Sequence, residues 1–255
     1  MCKKSPIIIN VPHSSLYIPE EELQYFEKPK LIRELVAMTD HCCDDLFDTG
    51  HEMLTFPVSR LVCDFERFRN DEDEVMAAKG MGAVYTRCSD MSLLRNVDND
   101  HKERILHTYY DKYHGIFENL VDHRLESFGK CLIIDGHSFF EFPLPYENDQ
   151  SGNRPDICIG TDSFHTPDNV EAELRSFFMS RGYSVAVNRP FAGAIVPGKY
   201  YRKNKRVQSV MIEINRRLYI NQDASIKDGY EKLKDDINEA VERLYRYSMI
   251  KESRL

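Results

Sequence analysis

Residues 131–138 read CLIIDGHS, and this stretch decides the fold class of the chain. Four apolar residues end abruptly in a polar turn, which is typical of a short strand buried on both faces. Residues 6–15, PIIINVPHSS, repeat the pattern near the amino terminus. Each predicted strand leads directly to a histidine, His13 or His137. Because α/β proteins bind ligands at the carboxyl ends of their strands, these stretches also indicate where chemistry is expected.

Helical patterns alternate with further strands around these two stretches. Such alternation predicts an α/β fold whose mostly parallel or mixed central sheet is covered on both faces. No repeat, low-complexity tract or linker interrupts the pattern, so we predict a single domain over residues 1–255. The predicted helices are 31–47, 100–126, 166–182 and 225–247, and the additional strands are 53–56, 61–65, 185–187 and 207–214.

Composition excludes several classes of protein. Of the 255 residues, 42% are apolar and 30% are charged, and no apolar run reaches the roughly 18 residues of a membrane span. The formal net charge of −8 argues against a general attraction to nucleic acid. Seven cysteines without a C-x-x-C pair indicate a reducing compartment. The amino terminus does not resemble a signal peptide, so we expect a cytoplasmic protein.

The histidines that follow the two predicted strands are candidate metal ligands. A strand end holds a side chain rigidly, as a metal ligand requires, and Asp135 could orient the ring of His137. The third ligand could be Asp40 or Asp44, which lie four residues apart on the predicted helix 31–47 and would share a face. Alternatively, the histidines bond to loop backbone and the acids are solvated. The residues alone leave both interpretations open.

Three further charged side chains could take part in a reaction. Arg60 and Arg67 lie at the two ends of the predicted strand 61–65, and arginine both grips carboxylates and stabilises developing oxyanions. A pair of surface salt bridges would explain them equally well. Glu213 lies in the apolar stretch 207–214. A carboxylate there either forms a structural ion pair or serves as a general base of raised pKa.

Six motifs taken together resemble the N-formylglutamate amidohydrolase family. They follow the family's order from residue 12 to about 221: PHSSLYIP, MTDHCCDDLFD, SRLVCDFER, LIIDGHS, RPDICIGT and SVMIEINRRLYIN. The resemblance implies a three-layer α/β/α fold similar to that of zinc carboxypeptidases and aspartoacylases. It also implies a zinc-dependent hydrolase that cleaves the C–N amide bond of an N-acylated amino acid such as N-formylglutamate.

The family pattern implies a role for each candidate residue. His13, Asp40 and His137 would bind one zinc ion, although another divalent metal would also suit these ligands. Glu213 would act as the general base, and Arg60 would polarise the carbonyl of the substrate. Arg67 would bind a substrate carboxylate, and we expect Glu66 and Arg189 to take part in substrate binding as well.

Two positions depart from the family pattern, and both lie where specificity is expected. Glu66 precedes Arg67 where the family tends to have asparagine, which places a negative charge beside the arginine that would bind the substrate. The family's Gly-Gly-His-type loop reads FAGAIVP at residues 191–197 and lacks the histidine. A carboxypeptidase-like hydrolase of a larger peptide or amide is therefore the first competing hypothesis.

Two further hypotheses belong to different classes of protein. The run 199–206, KYYRKNKR, could bind nucleic acid, or could be a solvated loop or a rim that attracts anionic substrates. On a chain of net charge −8 we do not expect nucleic-acid binding. A metal-free family member could serve as a binding module. No Walker A, G-x-G-x-x-G or G-x-S-x-G motif supports nucleotide or serine-esterase chemistry.

Overall fold

The computed structural model describes residues 3–221 and 223–250, which fold around a six-stranded sheet of order β2-β1-β3-β6-β4-β5. Strands β4 and β5 run opposite to the other four, because β4 pairs antiparallel with β6. The predicted mixed sheet is therefore confirmed. The strands are β1 (Ile7–Val11), β2 (Glu52–Thr55), β3 (Cys131–Phe139), β4 (Ile157–Gly160), β5 (Val185–Val187) and β6 (Val207–Asn215).

Helices lie on both faces of this sheet. A turn of π-helix at Leu106–Tyr110 joins α4 to α5, so the predicted helix 100–126 is confirmed with a local widening. Within the described part of the chain, none of the helices is long and apolar enough to cross a membrane. The helices are α1 (Glu20–Leu23), α2 (Lys28–Met38), α3 (Cys43–Leu46), α4 (Asn99–Ile105), α5 (Asp111–Phe128), α6 (Asp168–Ser180) and α7 (Tyr230–Ile250).

The central strands contribute to two hydrophobic cores, one on each face. In β1, Ile8 joins a core with buried residues of α2, α4 and α5. Its neighbours Ile7 and Ile9 join the other core, with buried residues of α3, α6 and α7. Successive side chains of a strand point to opposite faces, which is why a short apolar strand must be covered twice. The result is the α/β/α layering that the family resemblance implies.

The predicted helix 31–47 is in fact two helices. α2 ends at Met38 and α3 begins at Cys43, because the chain between them turns through Cys42 with a φ of 61°. Asp40 lies in this turn, whereas Asp44 lies in α3 and is exposed. The expectation that the two acids share one helix face is therefore wrong.

The predicted strand 61–65 is also wrong. Strand β4, in contrast, is missing from the predicted strands. Residues 60–67 form turns whose carbonyl groups do not pair with a strand. The carbonyls of Leu61 and Val62 instead accept hydrogen bonds from the buried Arg95, at 2.9 and 2.8 Å. The sequence analysis assigns no strand to β4, because an apolar run of four residues shows no periodicity that distinguishes a strand.

Candidate metal centre

The two histidines of the sequence analysis meet at the carboxyl ends of neighbouring strands. Strands β1 and β3 are parallel, with Asn10 opposite Asp135. His13 follows β1 by two residues, and His137 lies near the end of β3. Their Nδ1 atoms are 3.3 Å apart and their ring centroids are 5.0 Å apart. Residues 124 positions apart in sequence therefore present ring nitrogens to a common point.

Gly136 allows His137 to reach this point. A Cβ atom on Gly136 would lie 2.8 Å from the ring of Phe47, which is buried in the core beneath the strand. Real Cβ atoms do not approach other atoms that closely, so a larger residue would have to displace either Phe47 or β3. The contact between Gly136 and Phe47 thus determines how closely β3 packs on the core, and with it the position of His137.

Asp40 joins the two histidines from the turn between α2 and α3. Its backbone N–H donates to the carbonyl of His13 at 2.9 Å, which fixes the turn against the end of β1. Its Oδ2 atom lies 3.2 Å from Nδ1 of His137 and 3.7 Å from Nδ1 of His13. Its Oδ1 atom accepts from Arg216 at 2.9 Å. Burial would raise the pKa of Asp40, but the two histidines and Arg216 hold it well below its usual range.

Glu66 approaches the same histidines from the opposite side of their rings. Its Oε2 atom lies 3.2 Å from Nε2 of His137 and 3.8 Å from Nε2 of His13. His13, Glu66 and His137 form a candidate metal site, since each offers a ligand atom and these atoms lie within 4.8 Å of one another. Burial and the neighbouring Asp135 carboxylate raise the pKa of Glu66. Glu66 therefore faces the histidines, and Arg67 pairs with a different acid.

That acid is Asp64, to which the sequence analysis assigns no role. The buried carboxylate of Asp64 accepts hydrogen bonds from Nε2 of His13 at 2.9 Å, from Arg60 at 2.7 Å and from the hydroxyl of Tyr85 at 2.8 Å. Arg67 lies 3.7 Å away. Burial opposes ionisation, yet Arg60 and His13 hold the pKa of Asp64 well below its usual range. An acid inside the apolar run LVCDF was the available signal, as it was for Glu213.

The two arginines next to Asp64 keep part of their donor capacity. Arg60 and Arg67 are 12% and 25% exposed, and among the described residues the Nε–H group of each is buried without a hydrogen-bond partner. An additional anionic or carbonyl oxygen in the cleft would therefore bind to the other N–H groups of each guanidinium. Both side chains line a cleft of about 850 Å³.

Glu213 lies on β6, directly opposite His137 in the ladder with β3. Its side chain is buried, and its Oε2 atom has no hydrogen-bond partner among the described residues. Burial raises the pKa of Glu213 to about 8, although the nearby His137 opposes the shift. A carboxyl group of this pKa exchanges a proton readily near neutral pH. The expectation of a functional rather than an ion-paired glutamate fits this environment.

The cleft brings together all but one of the predicted site residues. His13, Asp40, Arg60, Glu66, Arg67, His137 and Glu213 line it. Arg189 does not: it is 58% exposed and donates to Asp149 and Ser151 at 3.2 and 2.8 Å. Its role in substrate binding stays a prediction. The basic run 199–206 contributes only Tyr201 to the lining, and Lys199 donates to Asp122 instead.

The chemistry of these donors fits a divalent metal ion. Imidazole nitrogens with a carboxylate oxygen are the ligands of catalytic zinc and related metals. Nε2 of His13 donates to Asp64, which leaves its Nδ1 atom free to act as a ligand, the arrangement in which outer carboxylates orient metal-binding histidines. Beside these donors, Glu213 can take up a proton and Arg60 can stabilise negative charge. A cleft of this kind, at the strand ends of an α/β/α fold, defines a hydrolase with a candidate metal centre.

The family of this hydrolase is identified by comparison with known proteins. The chain belongs to the N-formylglutamate amidohydrolase family, which matches residues 5–220. A curated relative, N-formylglutamate deformylase of Pseudomonas putida, is 25% identical over 230 residues, which cover 85% of this chain and 82% of the relative. The family resemblance drawn from the six sequence motifs is thus confirmed.

Two solved structures share the fold. The crystal structure of N-formylglutamate amidohydrolase from Ralstonia eutropha JMP134 superimposes with a TM-score of 0.83 at 20% identity, covering 97% of this chain and 95% of that one. A gene product of Agrobacterium tumefaciens gives a TM-score of 0.67 at 15% identity, covering 94% and 92% of the two chains. These likenesses confirm the predicted fold class.

Proposed function

We propose that the chain is a zinc-dependent amidohydrolase that cleaves the amide bond of an N-acyl amino acid. The observation that carries this proposal is the meeting of Nδ1 of His13, Nδ1 of His137 and Oδ2 of Asp40, separated by 3.3, 3.2 and 3.7 Å. Ligands bound at zinc distances in a tetrahedral site are about 3.3–3.6 Å apart. The three separations lie within or just outside this range, so the three atoms have the spacing of zinc ligands.

Asp40 is the better third ligand, for reasons of hydrogen bonding. A metal bound to the Nε2 face, next to Glu66, would compete with Asp64 for Nε2 of His13. A metal bound to the Nδ1 face leaves that hydrogen bond in place, and it finds Asp40 with Oδ1 held by Arg216 and Oδ2 directed at both rings. Glu66 and Asp135 then lie 3.2 and 3.1 Å from Nε2 of His137, close enough to stabilise the ring electrostatically, although neither contact has the geometry of a hydrogen bond.

The chemistry follows from the side chains around this centre. A zinc ion bound there would make hydroxide available near neutral pH and would polarise the scissile carbonyl. Glu213 accepts the proton of the attacking water and returns it to the leaving amine. Arg60 donates to the oxyanion that forms, and loss of one such donor typically costs about 3–4 kcal/mol of transition-state stabilisation. Arg67 binds the carboxylate of the amino acid.

N-formylglutamate is the reference substrate, because the Pseudomonas relative is named a deformylase of that compound. A second candidate is a carboxypeptidase-like hydrolase of larger amides, which the cleft of about 850 Å³ would accommodate. All six cysteines within the described residues are free thiols, in keeping with the cytoplasmic location that we propose.

The proposal is tested by metal content together with hydrolysis of N-formyl amino acids. We expect about one zinc ion per wild-type chain and measurable release of formate. His137→Ala should lose both metal and activity, whereas Glu213→Gln should keep the metal and lose most of the turnover. A wild-type protein purified without chelators that contains no transition metal would instead be a binding module. Full activity in Glu213→Gln would show that this glutamate is structural.

A further inference from the structure

The cleft carries more negative than positive side chains. Eight carboxylate residues line it against three arginines, and no lysine does so among the residues that the structure describes. The three arginines are Arg60, Arg67 and Arg216. Apart from the metal ion of the proposed function, the cationic groups that the lining offers to a substrate with several negative charges are these three arginines.

Each of the three arginines already has a function. Arg216 is held by Asp40 at 2.9 Å, by the hydroxyl of Ser138 at 3.0 Å and by the carbonyl of Ala37 at 2.8 Å. Under the proposed function, Arg60 polarises the scissile carbonyl and Arg67 binds the α-carboxylate. N-formylglutamate has a second carboxylate on its side chain. In the described lining of the cleft, no arginine or lysine remains to receive it.

The wall beside Glu213 is apolar instead. It is formed by residues 191–196, FAGAIV, above Met211 of β6. The ring of Phe191 makes an edge contact with Phe139 at 5.6 Å between centroids, and its carbonyl accepts from the Cys158 thiol at 3.2 Å.

The same wall is packed tightly against the sheet. A Cβ atom on Gly160 would lie 2.4 Å from the carbonyl oxygen of Gly193, so the loop rests directly on the end of β4. The wall therefore presents methyl, methylene and aromatic groups to the cleft, and the Arg154 guanidinium, 5.7 Å from the centroid of the Phe191 ring, lies outside the cleft lining. Such a surface gains from contact with an apolar group and would leave a carboxylate desolvated without a partner.

From this distribution of charge we propose that the cleft selects N-acyl amino acids that carry a single carboxylate and an apolar side chain, and that it disfavours N-acylglutamate. The inference rests on the proposed function, because it assigns Arg60 and Arg67 to the carbonyl and the α-carboxylate. The inference replaces N-formylglutamate with N-acyl amino acids of apolar side chain as the preferred substrates, and it does not alter the proposed reaction. The specificity-determining surface is the loop 191–196, with Met211 beneath it.

Three N-formyl amino acids test the proposal on the wild-type, metal-loaded protein. N-formyl-L-glutamine and N-formyl-L-glutamate have nearly the same shape and differ by one charge, and N-formyl-L-leucine supplies an apolar side chain. We expect kcat/KM for the glutamine derivative to exceed that for the glutamate derivative by at least tenfold, and the leucine derivative to be at least as good. A glutamate derivative that equals or exceeds the other two would overturn the inference.

A variant that adds the missing cation provides the reverse test. Ala194→Arg places a guanidinium in the apolar wall and should raise kcat/KM for N-formyl-L-glutamate relative to N-formyl-L-glutamine by about tenfold. Ala192→Arg, at an exposed position of the same loop, serves the same purpose if the first variant fails to fold. Met179→Arg is the matched control, because it adds the same charge at a 57% exposed site on α6, outside the cleft lining. An equal response of the control and loop variants would contradict the proposal.

Binding measurements separate this inference from the proposed function. Calorimetry on wild-type protein compares the product amino acids L-leucine, L-glutamine and L-glutamate without any need for turnover. If no N-formyl compound is hydrolysed, the proposed function fails, and the inference is judged on these affinities. Tighter binding of L-leucine than of L-glutamate by tenfold or more supports it. Equal or reversed affinities refute it, whether or not hydrolysis is observed.

Discussion

Exchange of Asp40 for asparagine should remove the metal, whereas exchange of Glu66 for glutamine should not. Both substitutions preserve size and delete one negative charge, so they form a matched pair. Asp40 reaches the Nδ1 atoms of His13 and His137 with one oxygen, while Glu66 reaches their Nε2 atoms. The pair therefore identifies which face of the two imidazoles binds the ion.

The expected magnitudes follow from the contacts. Loss of a carboxylate that only orients a metal-binding histidine reduces metal affinity by about 10–100-fold. Glu66→Gln should lie at the low end of this range, because Asp135 remains 3.1 Å from Nε2 of His137. Asp40→Asn removes a direct ligand and should cost more than about 100-fold, or about 2.7 kcal/mol of binding free energy.

Competition with a chromophoric chelator gives the zinc affinity of each variant, and the melting temperature of the metal-free proteins provides the control for folding. Asp40→Asn should still fold, because Arg216 keeps its hydrogen bonds to Ser138 and to the Ala37 carbonyl. If Glu66→Gln loses zinc while Asp40→Asn retains it, the ion is bound by His13, Glu66 and His137. The assignment of Asp40 as a ligand would then be wrong.

Four predictions concern the framework around the site. Gly136→Ala should destabilise the protein by about 1–3 kcal/mol in urea unfolding, because its Cβ atom meets the Phe47 ring at 2.8 Å. Gly115→Ala, on α5, should instead stabilise it by about 0.5–1 kcal/mol, because within 4 Å the added Cβ atom would meet no atom of the described residues beyond its own stretch of helix. Burial and Lys3 lower the pKa of His51 to about 4, so as the pH falls below about 6.5 the unfolded chain is protonated at this residue before the folded protein is. Between pH 7 and pH 5 the wild type should therefore lose about 2 kcal/mol more free energy of unfolding than His51→Asn. Equal losses would exclude a buried neutral imidazole. Arg95→Met should cost about 3 kcal/mol in thermal or urea unfolding, the low end for a broken buried ion pair, because the buried Glu22 carboxylate loses its arginine but keeps His101 at 2.9 Å. A loss below about 1 kcal/mol would show that His101 and water compensate for that arginine.

Much of the framework could be predicted because it depends on local patterns. The runs that form β1, β3 and β6 are too apolar to face water, and each has a polar residue of the cleft lining just after its end or near it, namely His13, His137 or Glu213. Short apolar runs that end in polar residues therefore predict the central strands and the histidines at their carboxyl ends. Glu213 could be singled out for the same physical reason, since a carboxylate in an apolar strand must have a special environment.

The parts that could not be predicted depend on long-range contacts. The break after Met38 is set by a hydrogen bond from Asp40 to the carbonyl of His13, which no helical pattern reveals. The turns at 60–67 are stabilised by Arg95, more than thirty positions away. The role of Asp64 likewise appears only when His13, Arg60 and Tyr85 converge on it.

In the turns at 60–67, the side chains that line the cleft and the backbone that holds the segment in place have different partners. Arg60, Glu66 and Arg67 of these turns line the cleft, whereas the carbonyls of Leu61 and Val62 are held by Arg95 and do not form part of the sheet. A substitution at Glu66 or Arg67 can therefore alter the charge of the cleft while the strands that carry the histidines keep their register. Together with the loop 191–196, these turns let the binding surface vary independently of the sheet.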